Sequence, residues 1–387
     1  MSRISPKFLP YGRQQIDEED IQAVVETLRS DFLTTGPKVG EFEQTVAEYG
    51  GVEHAVAVSS GTAALHATMF ALGVGPGDEV VVPPMTFAAS ANCVLYQGGR
   101  PVFADVDPGT LLIDPEQAER AVTPKTRAII GVDYAGQPCD WDALRGIADR
   151  HGLALVADGC HALGGEYKER KVGTLADVTV FSFHPVKHVA TGEGGMVVTD
   201  DAKLADRLRL FRNHGISTDY RQREEQGSWF YEQVTLGYNY RITDIQCALG
   251  VSQVRKLPGF LARRREIAAH YDAAFASVEN VTPLSVRGDV RHAYHLYVVR
   301  LSERVDRAEA FIKHREAGIG VNVHYIPVHL HPYYQKHLGT APGLCPVAEA
   351  AYERILSLPM HPGLTDVDVD RIVGETARVA DPTGSGQ

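Results

Sequence analysis

Between residues 54 and 199 the chain alternates short apolar runs with stretches of helical periodicity, and this alternation restricts the possible folds more than any other feature. Apolar runs at 55–58, 79–82, 102–106 and 128–132 are followed by helical stretches at 62–72, 87–96, 115–122 and 141–151. Further runs follow at 153–157 and 178–183. A strand that is apolar along its whole length is buried on both faces. The pattern therefore predicts an α/β fold with a mainly parallel sheet between helical layers. Such sheets bind ligands beyond the carboxyl ends of their strands. Two chemistry-bearing residues fall at such ends: Asp158 after the run 153–157, and Lys187 on the loop after 178–183.

The loop Phe183-His184-Pro185-Val186-Lys187 leads through the glycine-rich turn Thr191-Gly192-Glu193-Gly194-Gly195 into another β-rich run. Taken singly, Lys187 reads as a solvated surface charge and Asp158 as a helix N-cap. As a pair they match what pyridoxal 5'-phosphate requires. An amine forms the Schiff base, and a carboxylate keeps the pyridine nitrogen protonated so that the ring draws electrons. The attacking amine must be unprotonated, which burial favours. His161 could hydrogen-bond the same ring or pack beneath it.

Ser59-Ser60-Gly61-Thr62-Ala63-Ala64 joins a strand to a helix start, where N–H groups and hydroxyls can cradle a phosphate. The competing reading is an ordinary βα turn with a serine cap. Phe87 could lie over a flat heteroaromatic ring or fill the core. The glycines from Gly192 to Gly195 imitate a dinucleotide fingerprint, but valine holds its last position and a lysine loop precedes it. His324, His329 and His331 follow no familiar metal-ligand spacing, so no metal is expected.

The rest of the chain sets the organisation. Residues 12–49 read as helix, turn, helix, and 203–277 look helical. A strand at 296–301, a helix at 307–315, a β-run at 320–325 and a helix at 367–379 follow. This order predicts a large domain over 1–254, a smaller α/β domain over 255–380 and a disordered tail at 381–387. A formal charge of −11 argues against nucleic-acid or anionic-membrane binding, while leaving room for a local anion site. Five scattered cysteines, none in a C-x-x-C pair, signal neither a disulfide framework nor a thiolate metal site. No apolar stretch suggests a leader or a membrane span, and the expected location is cytoplasmic.

Six blocks in order carry a resemblance over essentially the whole chain: Ser60-Gly61-Thr62-Ala63-Ala64, Thr86-Phe87, Asp158 with His161, Phe181-Ser182-Phe183-His184 before Lys187, Gly192-Glu193-Gly194-Gly195, and Gly237-Tyr238-Asn239-Tyr240-Arg241. Together they resemble the DegT/DnrJ/EryC1/StrS family of sugar aminotransferases. The resemblance implies the aspartate-aminotransferase-type fold (fold type I) and pyridoxal phosphate as cofactor. It implies that Lys187 carries the cofactor, Asp158 binds the pyridine nitrogen and Phe87 stacks on the ring. Thr62, Ala63 and Ser182 would hold the phosphate. Asn239 would reach the phosphate of the neighbouring subunit, making a homodimer with shared sites.

Within the family, Phe8-Leu9-Pro10-Tyr11, Leu33-Thr34, Val132-Asp133-Tyr134-Ala135-Gly136 and the segment from Gly320 to Pro327 resemble the pseudaminic acid branch. That likeness implies amino transfer from glutamate to C4 of a UDP-linked 4-keto-6-deoxy-N-acetylhexosamine, with 2-oxoglutarate released. Ser60, Tyr11, Asp31, Phe32, Leu33, Thr34, Val323, His324, Tyr325 and Ile326 would line the sugar site. Asp31-Phe32 and Gly192 depart from that branch. The alternatives are a viosamine- or perosamine-type transaminase on dTDP or GDP, a pyridoxamine-dependent dehydratase, and a non-catalytic relative. Lys187 stands against the dehydratase, because in those relatives histidine replaces the lysine. Arg241 is a candidate for meeting the anionic substrates.

Overall fold

Alternation along the strands divides the main core in two. Val56, Val58, Val80, Val82, Val156, Val178, Val180 and Val197 pack on one side of a sheet, in one buried cluster. Their neighbours Ala55, Ala57, Val81, Leu155, Ala157, Phe181, Met196 and Val198 pack in another. Successive side chains of a strand point to opposite faces, so strands apolar at every position need helices on both sides. A computed structural model describes residues 8–218, 223 and 227–381. The expected tail beyond Asp381 and the segment 1–7 lie outside the described residues.

Helices α1 (Glu18–Leu28) and α2 (Pro37–Gly50) lead into β1 (His54–Val58), α3 (Gly61–Ala71), β2 (Glu79–Val82), α4 (Ala89–Tyr96) and β3 (Arg100–Phe103). Then come α5 (Pro115–Arg120), β4 (Thr126–Val132), α6 (Trp141–His151), β5 (Ala154–Asp158) and the short β6 (Glu166–Tyr167) and β7 (Arg170–Lys171). The hairpin β8 (Val178–Ser182) and β9 (Gly195–Thr199) precedes α7 (Ala202–Arg212). The chain continues through the long α8 (Asp244–Phe275), β10 (Val281–Pro283), β11 (Val290–Arg291), β12 (Tyr297–Leu301), α9 (Arg307–Glu316), α10 (Pro332–Leu338), α11 (Pro346–Tyr352), β13 (Ile355–Leu358) and α12 (Asp366–Ala380).

The seven-stranded sheet has the order β1-β9-β8-β5-β4-β2-β3. Strands β8, β5, β4, β2 and β3 pair in parallel, and β9 is antiparallel to both its neighbours. A second, three-stranded sheet, β10-β12-β13, shares a separate core with the later part of α8 and with α12 through Tyr271, Phe275, Val299, Leu356, Val369 and Ile372. Residue 255 lies inside α8, which runs unbroken past the position where a second domain was expected.

Three local expectations need correction. The β-run at 320–325 is not a strand; only an isolated bridge joins Asn322 to Ser357. Side chains occupy this segment's polar groups instead: Tyr134 Oη donates to the His324 carbonyl, and Asn322 Oδ1 accepts from the Val323 N–H at 2.9 Å. Residues 203–277 are not one helical tract, because turns and isolated bridges fill 227–243 between α7 and α8. The helix expected from 87 begins at Ala89, which leaves Phe87 in the preceding turn.

Candidate active site

The site assembles at the carboxyl ends of β5 and β8, with the β1–α3 turn beside them. Asp158 closes β5 and is buried. Its Oδ2 accepts from Ser90 Oγ at 2.6 Å and its Oδ1 from the Cys160 N–H at 3.2 Å. Ser90 is in turn 2.7 Å from Thr86 Oγ1, so α4 and the turn before it orient the carboxylate.

Lys187 is half-buried on the β8–β9 loop, with Nζ 3.4 Å from His295 Nε2. Burial lowers the lysine pKa from its ordinary value, while the nearby Cys160 and Asp158 pull the other way. The result favours an amine available for attack more readily than a surface lysine.

Histidine and tyrosine rings enclose this amine. The His161 ring lies 4.3 Å from His295, and its Nε2 is 3.0 Å from Tyr325 Oη. Burial, reinforced by the positive charge of Lys187, holds His161 well below its ordinary pKa. Burial pushes the Tyr325 phenol well up, so at neutral pH the histidine and the phenol are both uncharged. His324 reaches Ser357 Oγ with Nδ1 at 2.9 Å, and the Tyr11 ring sits 5.1 Å from it. Gly12, next to Tyr11, lies against Val186, the residue before Lys187: a Cβ on it would be 3.2 Å from Val186 Cβ.

The β1–α3 turn is seated on the hairpin. A Cβ on Gly195 would approach the Ser60 carbonyl oxygen to 2.3 Å, and one on Gly61 would come within 2.9 Å of Ser182 Cβ. Only glycine allows backbones this close. Ser60 caps α3 by accepting from the Ala63 N–H at 3.1 Å. The Gly61 and Thr62 N–H groups have no intrahelical acceptor, as in the first turn of any helix. Ser60, Thr62, Ala63 and Ser182 thus meet at one helix start.

Phe87 is 62% exposed, with its ring 6.2 Å from Tyr325. An aromatic ring left open beside an enclosed amine and carboxylate has the form of a stacking surface.

Not every expected residue joins this set. Residues 31–34 are exposed and pair with the start of α8, where Thr34 bridges Thr243 and the Asp244 N–H donates to the Leu33 carbonyl at 3.0 Å. Asn239 is exposed and bridges Asn213, and Arg241 Nη1 bonds Asn213 Oδ1 at 2.9 Å. Val323 is half-buried and Ile326 is exposed. Of the other histidines once weighed as ligands, His329 pairs with Glu349 at 2.8 Å.

Sequence reasoning missed Ser90 and His295. Ser90 comes three residues after Phe87 and its N–H donates to the Phe87 carbonyl at 3.2 Å, a spacing that could have drawn notice. His295 stands just before a β-branched run with no local signal of its own; only the tertiary fold brings it to Lys187.

A half-buried lysine after β8, a buried aspartate ending β5, an open aromatic ring and a glycine-seated helix start together fit pyridoxal phosphate. His161, whose Nε2 meets Tyr325, keeps its Nδ1 buried without a partner among the described residues, a polar atom left for a bound group. The fold and this arrangement define a fold type I pyridoxal phosphate aminotransferase. The chain belongs to the DegT/DnrJ/EryC1/StrS aminotransferase family, whose model matches residues 14–376.

The spore coat polysaccharide biosynthesis protein SpsC of Bacillus subtilis is 46% identical over 371 residues, covering 95% of each chain. Spr1654 from Streptococcus pneumoniae, solved in its PLP form, is 35% identical with a TM-score of 0.91, covering 96% of this chain and 98% of that one. Helicobacter pylori PseC, an aminotransferase involved in the biosynthesis of pseudoaminic acid, is 34% identical with a TM-score of 0.90, over 96% of this chain and 99% of its own. The protein is accordingly a pyridoxal phosphate-dependent sugar aminotransferase. Among the described residues no helix is long and apolar enough to cross a membrane.

Proposed function

We propose that this enzyme moves an amino group from glutamate to C4 of a UDP-linked 4-keto-6-deoxy-N-acetylhexosamine, working as a cytoplasmic homodimer. The observation that carries the reading is the Lys187 amine, half-buried against uncharged histidines beside the buried carboxylate of Asp158. Similarity to PseC supports the choice of sugar.

Bound there, pyridoxal phosphate supplies an electron sink for moving the amino group. Asp158 holds the pyridine nitrogen protonated, with Ser90 fixing the carboxylate. Phe87 would stack on the cofactor ring, and His161 would hydrogen-bond the ring or pack beneath it. Thr62, Ala63 and Ser182 hold the phosphate, aided by Asn239 of a second copy. Lys187 would hold the cofactor covalently, and its amine, once freed, would move a proton between the nitrogen-bearing carbon of the substrate and the cofactor. Tyr11, Ser60, His324, Tyr325, Val323 and Ile326 line the sugar side, and residues 31–34 extend it. Two lobes divide near residue 255, within α8.

Lys187→Ala should end borohydride fixation of the cofactor and lower turnover by at least about 10³-fold in a glutamate-coupled assay. Retained fixation in that variant would remove the role given to the lysine. A panel of 4-keto sugars on UDP, dTDP and GDP tests the carrier, with UDP expected to lead. Equal use of all three would defeat the UDP assignment.

A further inference from the structure

We infer that His295 is a further residue of the reaction: its Nε2 shares one proton with the Lys187 amine whenever that amine is free of the cofactor. This rests on the reading of Lys187 as the cofactor-bearing residue.

The geometry singles out this imidazole. The ring nitrogen facing Lys187 is 3.4 Å from Nζ. The other, Nδ1, is buried and has no partner among the described residues, so Lys187 is the ring's polar contact. The main chain leaves the ring little freedom. A Cβ on Gly136 would come within 3.0 Å of the His295 N and 2.7 Å of the His161 carbonyl oxygen, so the three strands of chain are in close contact there. The His295 carbonyl accepts from Arg264 Nη1 at 3.4 Å.

The surrounding charges decide which partner keeps the proton. His295 faces Lys187, His161, His188 and Arg264, and burial together with these groups holds it well below the ordinary histidine value. Arg264 is fully buried; it bonds the carbonyls of Tyr294 at 2.9 Å and Met360 at 2.8 Å, and among the described residues no carboxylate pairs with it. A cation behind the imidazole disfavours a second positive charge on it. The pair therefore holds a single proton, on Nζ, with neutral Nε2 accepting from the ammonium. Loss of that proton leaves both partners neutral. Cys160 and Asp158 also face Lys187 and oppose part of the pKa lowering that burial imposes on it; the pair titrates as a unit, in which the imidazole adds to that opposition.

The test uses lysine-¹⁵N-labelled full-length protein freed of cofactor, with the Lys187 ζ resonance identified by its absence in Lys187→Arg. His295→Phe should lower the Lys187 midpoint by about one pH unit or more, as expected for losing an acceptor to a charged donor. A midpoint that stays put or rises would overturn the inference. Should His295→Phe fail to fold, imidazole-¹⁵N-labelled wild-type protein decides. The His295 Nε2 resonance should move through the Lys187 midpoint, and a resonance flat across that range overturns the inference. Borohydride reduction followed by peptide mapping is run alongside. A label elsewhere than Lys187 sinks the parent reading; a label on Lys187 with an unmoved midpoint sinks only the role of His295.

Discussion

The ends of β4 and β5 lie side by side, with Val132 opposite Asp158 in the ladder, and each is followed or closed by a buried aspartate. Their surroundings differ. Asp133, one residue past β4, is closed in by protein: Oδ1 accepts from the Cys139 N–H at 2.8 Å and from Trp141 Nε1 at 3.1 Å, and Oδ2 is buried without a partner among the described residues. Burial pushes its carboxyl up to about 8, against those donors. Asp158 instead shares a site with an amine, and a serine hydroxyl aims its oxygen. Two buried aspartates at neighbouring points of one sheet thus sit in different surroundings, and only that of Asp158 suits the role proposed for it. Burial alone yields a neutral structural acid, and a nearby cationic centre is what gives a buried carboxylate chemical use.

The largest test of this contrast is Asp158→Asn. Losing the charge opposite the pyridine nitrogen should cut turnover by about 10²-fold or more and weaken cofactor retention, read by steady-state kinetics and by absorbance after dialysis. A variant within a few-fold of wild type would erase the distinction between the two strand ends. Ser90→Ala keeps the charge but frees the carboxylate, and roughly a tenfold loss of turnover is expected from one hydrogen bond to a charged acceptor.

Asp133→Asn should leave neutral-pH turnover within about twofold and change the pH dependence of unfolding. The sign follows from the raised folded pKa. The stabilisation from Asp133 is complete below its unfolded value of 3.8 and is lost as pH rises through about 8. Wild-type protein should therefore lose on the order of a few kcal/mol from this group across that window, and the asparagine variant should lose less. Denaturant titrations at pH 5 and pH 8 measure the difference, and equal slopes for the two proteins would count against the assignment. Trp141→Phe is the smallest change. Losing one donor to Asp133 should cost about 1–2 kcal/mol of stability with turnover unaltered.

The sheet was legible because its strands are apolar at every position, a pattern that strands covered on both faces require. Asp158 could be set at a strand end because it closes such a run, and Lys187 on the following loop because a run ends shortly before it. Residues 320–325 misled for a related reason. Val321 and Val323 alternate as in a strand, but the polar partners that occupy the backbone there, Tyr134 and Ser357, come from distant sequence. Nor could local pattern reveal His295 beside Lys187, since the contact joins the main sheet's hairpin to the approach of β12. The exposed positions of residues 31–34 and Asn239 were equally unreadable, because periodicity reports burial within one element and says little about which loops converge.

The hairpin joining β8 to β9 has a consequence for how sequences of this kind can vary. Ser182 and Gly195 are paired across the ladder, and Phe183 donates to the Gly194 carbonyl at 2.8 Å, so both ends of the lysine-bearing loop are fastened to the same rung. An inserted or deleted residue there has no slack to absorb it and must displace the amine itself. Length changes should therefore collect in exposed connections such as 227–234, while the span from 183 to 194 keeps a constant residue count even where its side chains drift.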